Sequence, residues 1–119
     1  VANIKRLEQL SGWIEYPLTT ALLDPPVLKL RLRPLDSFNM VTTDPNAAQF
    51  AFGRFAADNA IEAVAEWDLC EDGVAIPVTP ENKVLYLRPI LAEPVEGRGL
   101  LGLAILEDAQ NRELFLRNF

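Results

Sequence analysis

The chain has 119 residues, half of them apolar, with a formal net charge of −6, one cysteine and no histidine. That length fits one domain with enough apolar material for a core of its own. The acidic balance argues against nucleic acid as the main partner, since neutralising phosphate takes clustered Lys and Arg. Without histidine the chain lacks the commonest general base and the commonest metal ligand. Cys70, the lone cysteine, cannot close an internal disulfide and reads as cytosolic.

No apolar run approaches the roughly 20 residues a membrane helix needs. The first residues, Val-Ala-Asn-Ile-Lys-Arg, lack the apolar core and cleavage site of a signal peptide. The expectation is a cytoplasmic protein with no membrane partner.

Along the chain, Ile4, Leu7 and Leu10 have weak helical spacing, so Val1 to Leu10 reads as a turn or two of helix or an ordered tail. Trp13 to Leu18 reads as extended. Asp24-Pro25-Pro26 marks a turn. Val27 to Arg33 is the cleanest strand: Leu28, Leu30 and Leu32 alternate with Lys29, Arg31 and Arg33, giving one buried and one wet face. The two runs form a small antiparallel β unit over about residues 11–35.

Asp36 to Thr43 offers a short helix. Asp44-Pro45 offers a stronger start, with an N-cap followed by Pro at the first helical position. From Ala47 to about Trp67 alanines are abundant, and the apolar residues fall on one broad arc, which predicts a central Ala-rich helix. Ile61, Ala63, Ala65, Trp67 and Leu69 also alternate as a strand would; Ala and Glu propensities favour helix. Asp72-Gly73 is a turn, and Pro77 limits Ile76 to Val78 to an edge or connector. Thr79 as N-cap with Pro80 following predicts a helix to about Leu87. Glu93 to Gly99 reads as a loop. Leu100 to Phe119 reads as a long last helix, with Asp108–Arg112 and Glu113–Arg117 as acid-to-base pairs four apart. The fold class expected is α+β, mainly helical: a single domain 1–119, its helical part about 44–119, with the β unit packed on the central helix.

Candidate chemistry is sparse. Asp68, Cys70, Asp72 and Gly73 imitate the start of a calcium loop, but Cys70 and Thr79 stand where carboxylates belong. Cys70 lies among acids, which disfavours the thiolate. Gly97, Gly99 and Gly102 precede a helix as a phosphate loop would, but no βαβ unit surrounds them. Glu62 and Glu66 have the ordinary spacing of a solvated helix face. These readings give no catalytic, metal or cofactor residue.

Charge is uneven. No Lys or Arg lies between Phe55 and Asn82, where Asp58, Glu62, Glu66, Asp68, Glu71 and Asp72 fall, whereas Lys29, Arg31 and Arg33 cluster elsewhere. Either these are solvated faces, or they are two surfaces of opposite sign suited to docking or self-association. Trp67 reads as a core anchor or a binding hot spot. The last helix is apolar over most of both ends. It is either packed on two sides or presents a partner face through Leu101, Leu103, Ile105, Phe115, Leu116 and Phe119.

The order of an Ala-rich helix ending in Trp67-Asp68-Leu69, an acidic Asp72-Gly73 turn, Ile76-Pro77-Val78-Thr79-Pro80-Glu81, and a later helix carrying Ile105 to Arg112 and ending in Phe115-Leu116 resembles the small tail assembly chaperone-like proteins of long-tailed phages and prophages. The resemblance runs loosely over residues 27–117 and leaves out Trp13 to Pro26. It implies a non-enzymatic protein of the bacterial host cytoplasm. Its partners would be the tape-measure protein and tail-tube subunits, and it would need no cofactor. The rival readings are a structural head or tail completion protein and a prophage or bacterial interaction adaptor.

Overall fold

A computed structural model describes residues 1–35 and 57–117. The fold is built around a three-stranded antiparallel sheet in the order β2-β3-β4. Strand β2 is Ile14–Pro17, β3 is Val27–Leu32 and β4 is Val64–Trp67. β2 and β3 pair with Tyr16 opposite Leu28 and Glu15 opposite Lys29. The β unit expected from the alternation of β3 is therefore present, with Leu28, Leu30 and Leu32 fully buried on one face.

Ser11 extends this pairing. It is buried, its backbone N–H donates to the Leu32 carbonyl at 2.9 Å, and its hydroxyl accepts from the Leu32 N–H at 2.9 Å. One short side chain thus stands in for a strand partner at the end of β3, where an unmet backbone N–H would be costly.

The expectation of a mainly helical fold is overturned at two places. The first is the central helix. Helix α1 covers residues 57–63 among those described, and the chain then becomes strand instead of running helically to Trp67. β4 takes the second edge of β3, with Leu30 opposite Trp67, Arg31 opposite Glu66 and an irregularity between Arg31 and Leu32. The alternation from Ile61 to Leu69 was a real strand signal over Val64–Trp67. Pairing with the central strand, whose leucines are buried on one face, outweighs the modest helix preference of Ala and Glu. The segment expected to begin this helix, and the short helix expected over Asp36 to Thr43, lie outside the described residues.

The second correction is the last helix. α3 spans only Leu101–Ala109 and is the longest complete helix among the described residues. Asn111 ends it: its backbone is extended, and its side chain accepts from the Glu113 N–H at 3.1 Å, capping a separate 3-10 turn over Arg112–Phe115. Asn competes with helix in this way by capping instead of continuing it. The chain closes as β9, Leu116–Arg117, paired with β1, Arg6–Leu7. The N-terminal segment, read as a turn or two of helix or an ordered tail, is thus partly strand.

Between the sheet and α3 lie two hairpins and a helical arm. β5 (Cys70–Glu71) and β6 (Val74–Ala75) join through Asp72 and Gly73, whose φ values of 51° and 78° both lie in the left-handed region. Two positive φ values suit a tight type I′ hairpin and explain the Asp-Gly pair. Thr79 caps α2, Pro80–Asn82, by accepting from the Asn82 N–H at 3.1 Å. The arm continues as a π-turn over Lys83–Leu87 and a 3-10 turn over Arg88–Ile90. The helical path therefore runs on past its expected end at about Leu87 and through Pro89. Pro89 lacks an N–H, and here it occupies the opening positions of the 3-10 turn, where none is needed. Residues 93–99, read as a loop, contain most of the hairpin formed by β7 (Pro94–Val95) and β8 (Gly99–Leu100).

Tyr16, the β3 leucines, Ala60, Val64, Leu101 and Ile105 belong to one buried cluster. Gly102 enables close approach of α3 to the arm. A Cβ there would meet the Leu91 carbonyl oxygen at 3.3 Å, and the Gly102 N–H donates to that same oxygen at 2.9 Å.

Candidate functional site

The two charged segments singled out in the sequence meet each other. Because β4 pairs with β3, the acidic run lies beside the basic strand. The Arg31 guanidinium donates to Glu66 at 3.1 Å and to the Ser11 carbonyl at 3.0 Å. Arg33 donates to the Glu62 and Val64 carbonyls at 3.3 and 3.4 Å. The backbone N–H of Lys29 donates to Asp68 at 3.0 Å, while its ammonium lies 3.8 Å from Glu15 across the β2–β3 pair. Farther along, Asp58 pairs with Arg88, and Glu71 accepts from the Tyr86 hydroxyl at 3.1 Å. The partly exposed ion pairs among these contribute about 0–1 kcal/mol each. Several of the opposite charges that stand apart in the sequence are thus neighbours within the fold.

Among the described residues, Tyr16, Arg98 and Asp108 form an enclosed polar cluster that ties β2, the β7–β8 turn and α3 together. Asp108 is buried. Arg98 grips both of its carboxylate oxygens at 2.8 Å, and the Tyr16 hydroxyl donates to one of them at 2.7 Å. The guanidinium also lies 5.8 Å from the centre of the Tyr16 ring. Burial pushes the Tyr16 phenol far above its ordinary value, and the hydrogen bond to Asp108 and that residue's charge act in the same direction. The hydrogen bonds from Arg98 to Asp108 hold the guanidinium in its charged form.

Chemically this cluster is a closed lock. Each carboxylate oxygen is engaged, and the phenol proton is held on its oxygen. Arg98, the base that lies within the Gly97, Gly99 and Gly102 string, is committed to Asp108. Asp108, read as the partner of Arg112 four residues on, takes Arg98 ten residues back instead. Pairing two residues from a hairpin and a helix requires tertiary structure, so spacing along the chain gives no signal of it.

The Trp67 indole is buried, and its N–H donates to the Ile76 carbonyl at 2.7 Å. It anchors the β5–β6 hairpin to the sheet, the core role of its two readings. Cys70 is exposed, and its thiol approaches the Asp68 carbonyl at 3.8 Å. It lines a cleft of about 430 Å³ with Leu23, Asp24, Lys29 and Asp68. Among the described residues no grouping of acidic, Cys or His side chains is arranged to hold a metal ion. A second cleft, about 370 Å³, lies between β1 and the end of α3 and is lined by Leu7, Glu8, Leu35, Ala109 and Phe115.

The six residues proposed as a partner face separate. Leu101, Ile105 and Phe115 are core, with at most 2% exposure. Leu103 and Leu116 are exposed at 46% and 36%. Phe119 lies outside the described residues. The face cannot exist as one apolar stripe, because the helix meant to carry it breaks at Asn111 and half its members are buried. Among the described residues, other large apolar side chains that reach solvent include Val84 and Leu85 on the π-turn, Leu100 before α3, Trp13 and Val74. Sequence alone assigns no surface to Val84 and Leu85, which lie on the π-turn.

No helix among the described residues is long and apolar enough to cross a membrane. Comparison with known protein families, with curated proteins and with solved structures finds no match.

Proposed function

We propose that the chain is a non-enzymatic protein-binding module, and specifically a tail assembly chaperone of a phage or prophage that acts in the bacterial cytoplasm. The observation that carries the reading is a contrast. The enclosed polar groups Tyr16, Arg98 and Asp108 are spent on one another, whereas Val84, Leu85, Leu100 and Leu103 expose apolar surface on and beside the helical elements. Such side chains suit burial of apolar stretches on a partner protein better than they suit a reaction. The resemblance of Trp67 to Glu81 and of Ile105 to Leu116 to tail assembly chaperones supplies the particular partner, an elongated helical tape-measure protein, together with tail-tube subunits.

Co-expression with the tape-measure protein encoded nearest to the gene tests this. The chain should co-purify with it and be absent from mature particles. Stoichiometric presence in purified virions would overturn the chaperone reading and favour a head or tail completion protein. A gene remote from any tail genes, with no co-purification, would favour an adaptor.

A further inference from the structure

We draw no further inference here: the strongest candidate, the exposed apolar patch of Val84 and Leu85 on the π-turn of the helical arm, is an unpartnered face, and nothing in the structure shows what covers it.

Discussion

Arg98 holds both oxygens of the buried Asp108 carboxylate at 2.8 Å, so a turn in the β7–β8 hairpin and the last turn of α3 are joined by one bidentate ion pair. A pair of this geometry is strong but not optional. Removing one partner leaves a charge in a site that cannot hydrate it. Arg98→Met should therefore lower unfolding free energy by about 3 kcal/mol, the low end for a buried pair, since the guanidinium keeps 30% exposure. The triple variant Arg98→Met, Asp108→Leu, Tyr16→Phe removes every polar member and should be more stable than Arg98→Met alone. Urea unfolding of the variants measures both. A single-variant loss below about 1 kcal/mol, the range of exposed pairs, would show that Asp108 is solvated.

Tyr16 gives the protein an alkaline limit. Its phenol must stay protonated to donate to Asp108, and its folded-state value is raised above the ordinary 10.0. The stability this supplies is complete below the unfolded value and declines as pH rises beyond it toward the folded value. Unfolding free energy should hold through neutral pH and fall from pH 10 upward. Tyr16→Phe should lose about 1.5 kcal/mol at neutral pH, as for a hydrogen bond to a charged group, and should show a shallower alkaline decline. Tyrosinate absorbance in the Tyr86→Phe background should appear only with unfolding. Titration of Tyr16 at its ordinary value in the folded protein would contradict its burial.

The two tryptophans offer an optical test of β4. Trp67 is buried with its N–H on Ile76, whereas Trp13 is 52% exposed. The Trp13→Phe protein should emit at shorter wavelength and resist acrylamide, and the Trp67→Phe protein should show the opposite. Trp67→Phe should also cost about 1 kcal/mol for the lost hydrogen bond. Equal quenching of the two would mean that Trp67 does not sit against the β5–β6 hairpin.

What could be read from the chain beforehand was what local chemistry decides. The alternation of Leu28, Leu30 and Leu32 placed β3. The Asp72-Gly73 pair placed a turn where both residues take positive φ, and Thr79-Pro80 placed the start of α2. What failed was decided at a distance. Val64 to Trp67 is strand because it pairs with the second edge of β3; the alternation from Ile61 to Leu69 carried that signal, and the helix propensity of Ala and Glu masked it. The last helix stops because Asn111 caps the next turn, a capacity its type has but that the flanking apolar spacing concealed. The Tyr16–Arg98–Asp108 lock joins residues up to 92 positions apart, and no motif spacing encodes such a contact. The charge imbalance left two readings open, solvated faces or docking surfaces of opposite sign, and the strand pairing puts the two charged segments side by side on a partly exposed face. Arg31 and Glu66 are cross-strand neighbours that pair with each other while staying partly exposed.

The separated partner face gives the last prediction. Leu103 and Phe115 were grouped by a helix that does not continue between them. In the structure Leu103 is 46% exposed on α3, while Phe115 is 2% exposed in the 3-10 turn that supports β9. Leu103→Asp replaces solvent-facing apolar surface and should change unfolding free energy by no more than about 0.5 kcal/mol, as surface substitutions do. Phe115→Asp places a charge in the core and should abolish folding; Phe115→Ala should cost about 3 kcal/mol. If both positions lay on one docking helix, both aspartates would leave a folded protein with weakened partner binding. Circular dichroism with thermal unfolding separates the cases before any partner is needed. In co-purification with the tape-measure protein, Leu103→Asp and Leu85→Asp then probe the exposed apolar surface without disturbing the core. Unchanged binding in both would remove these positions from the partner contact.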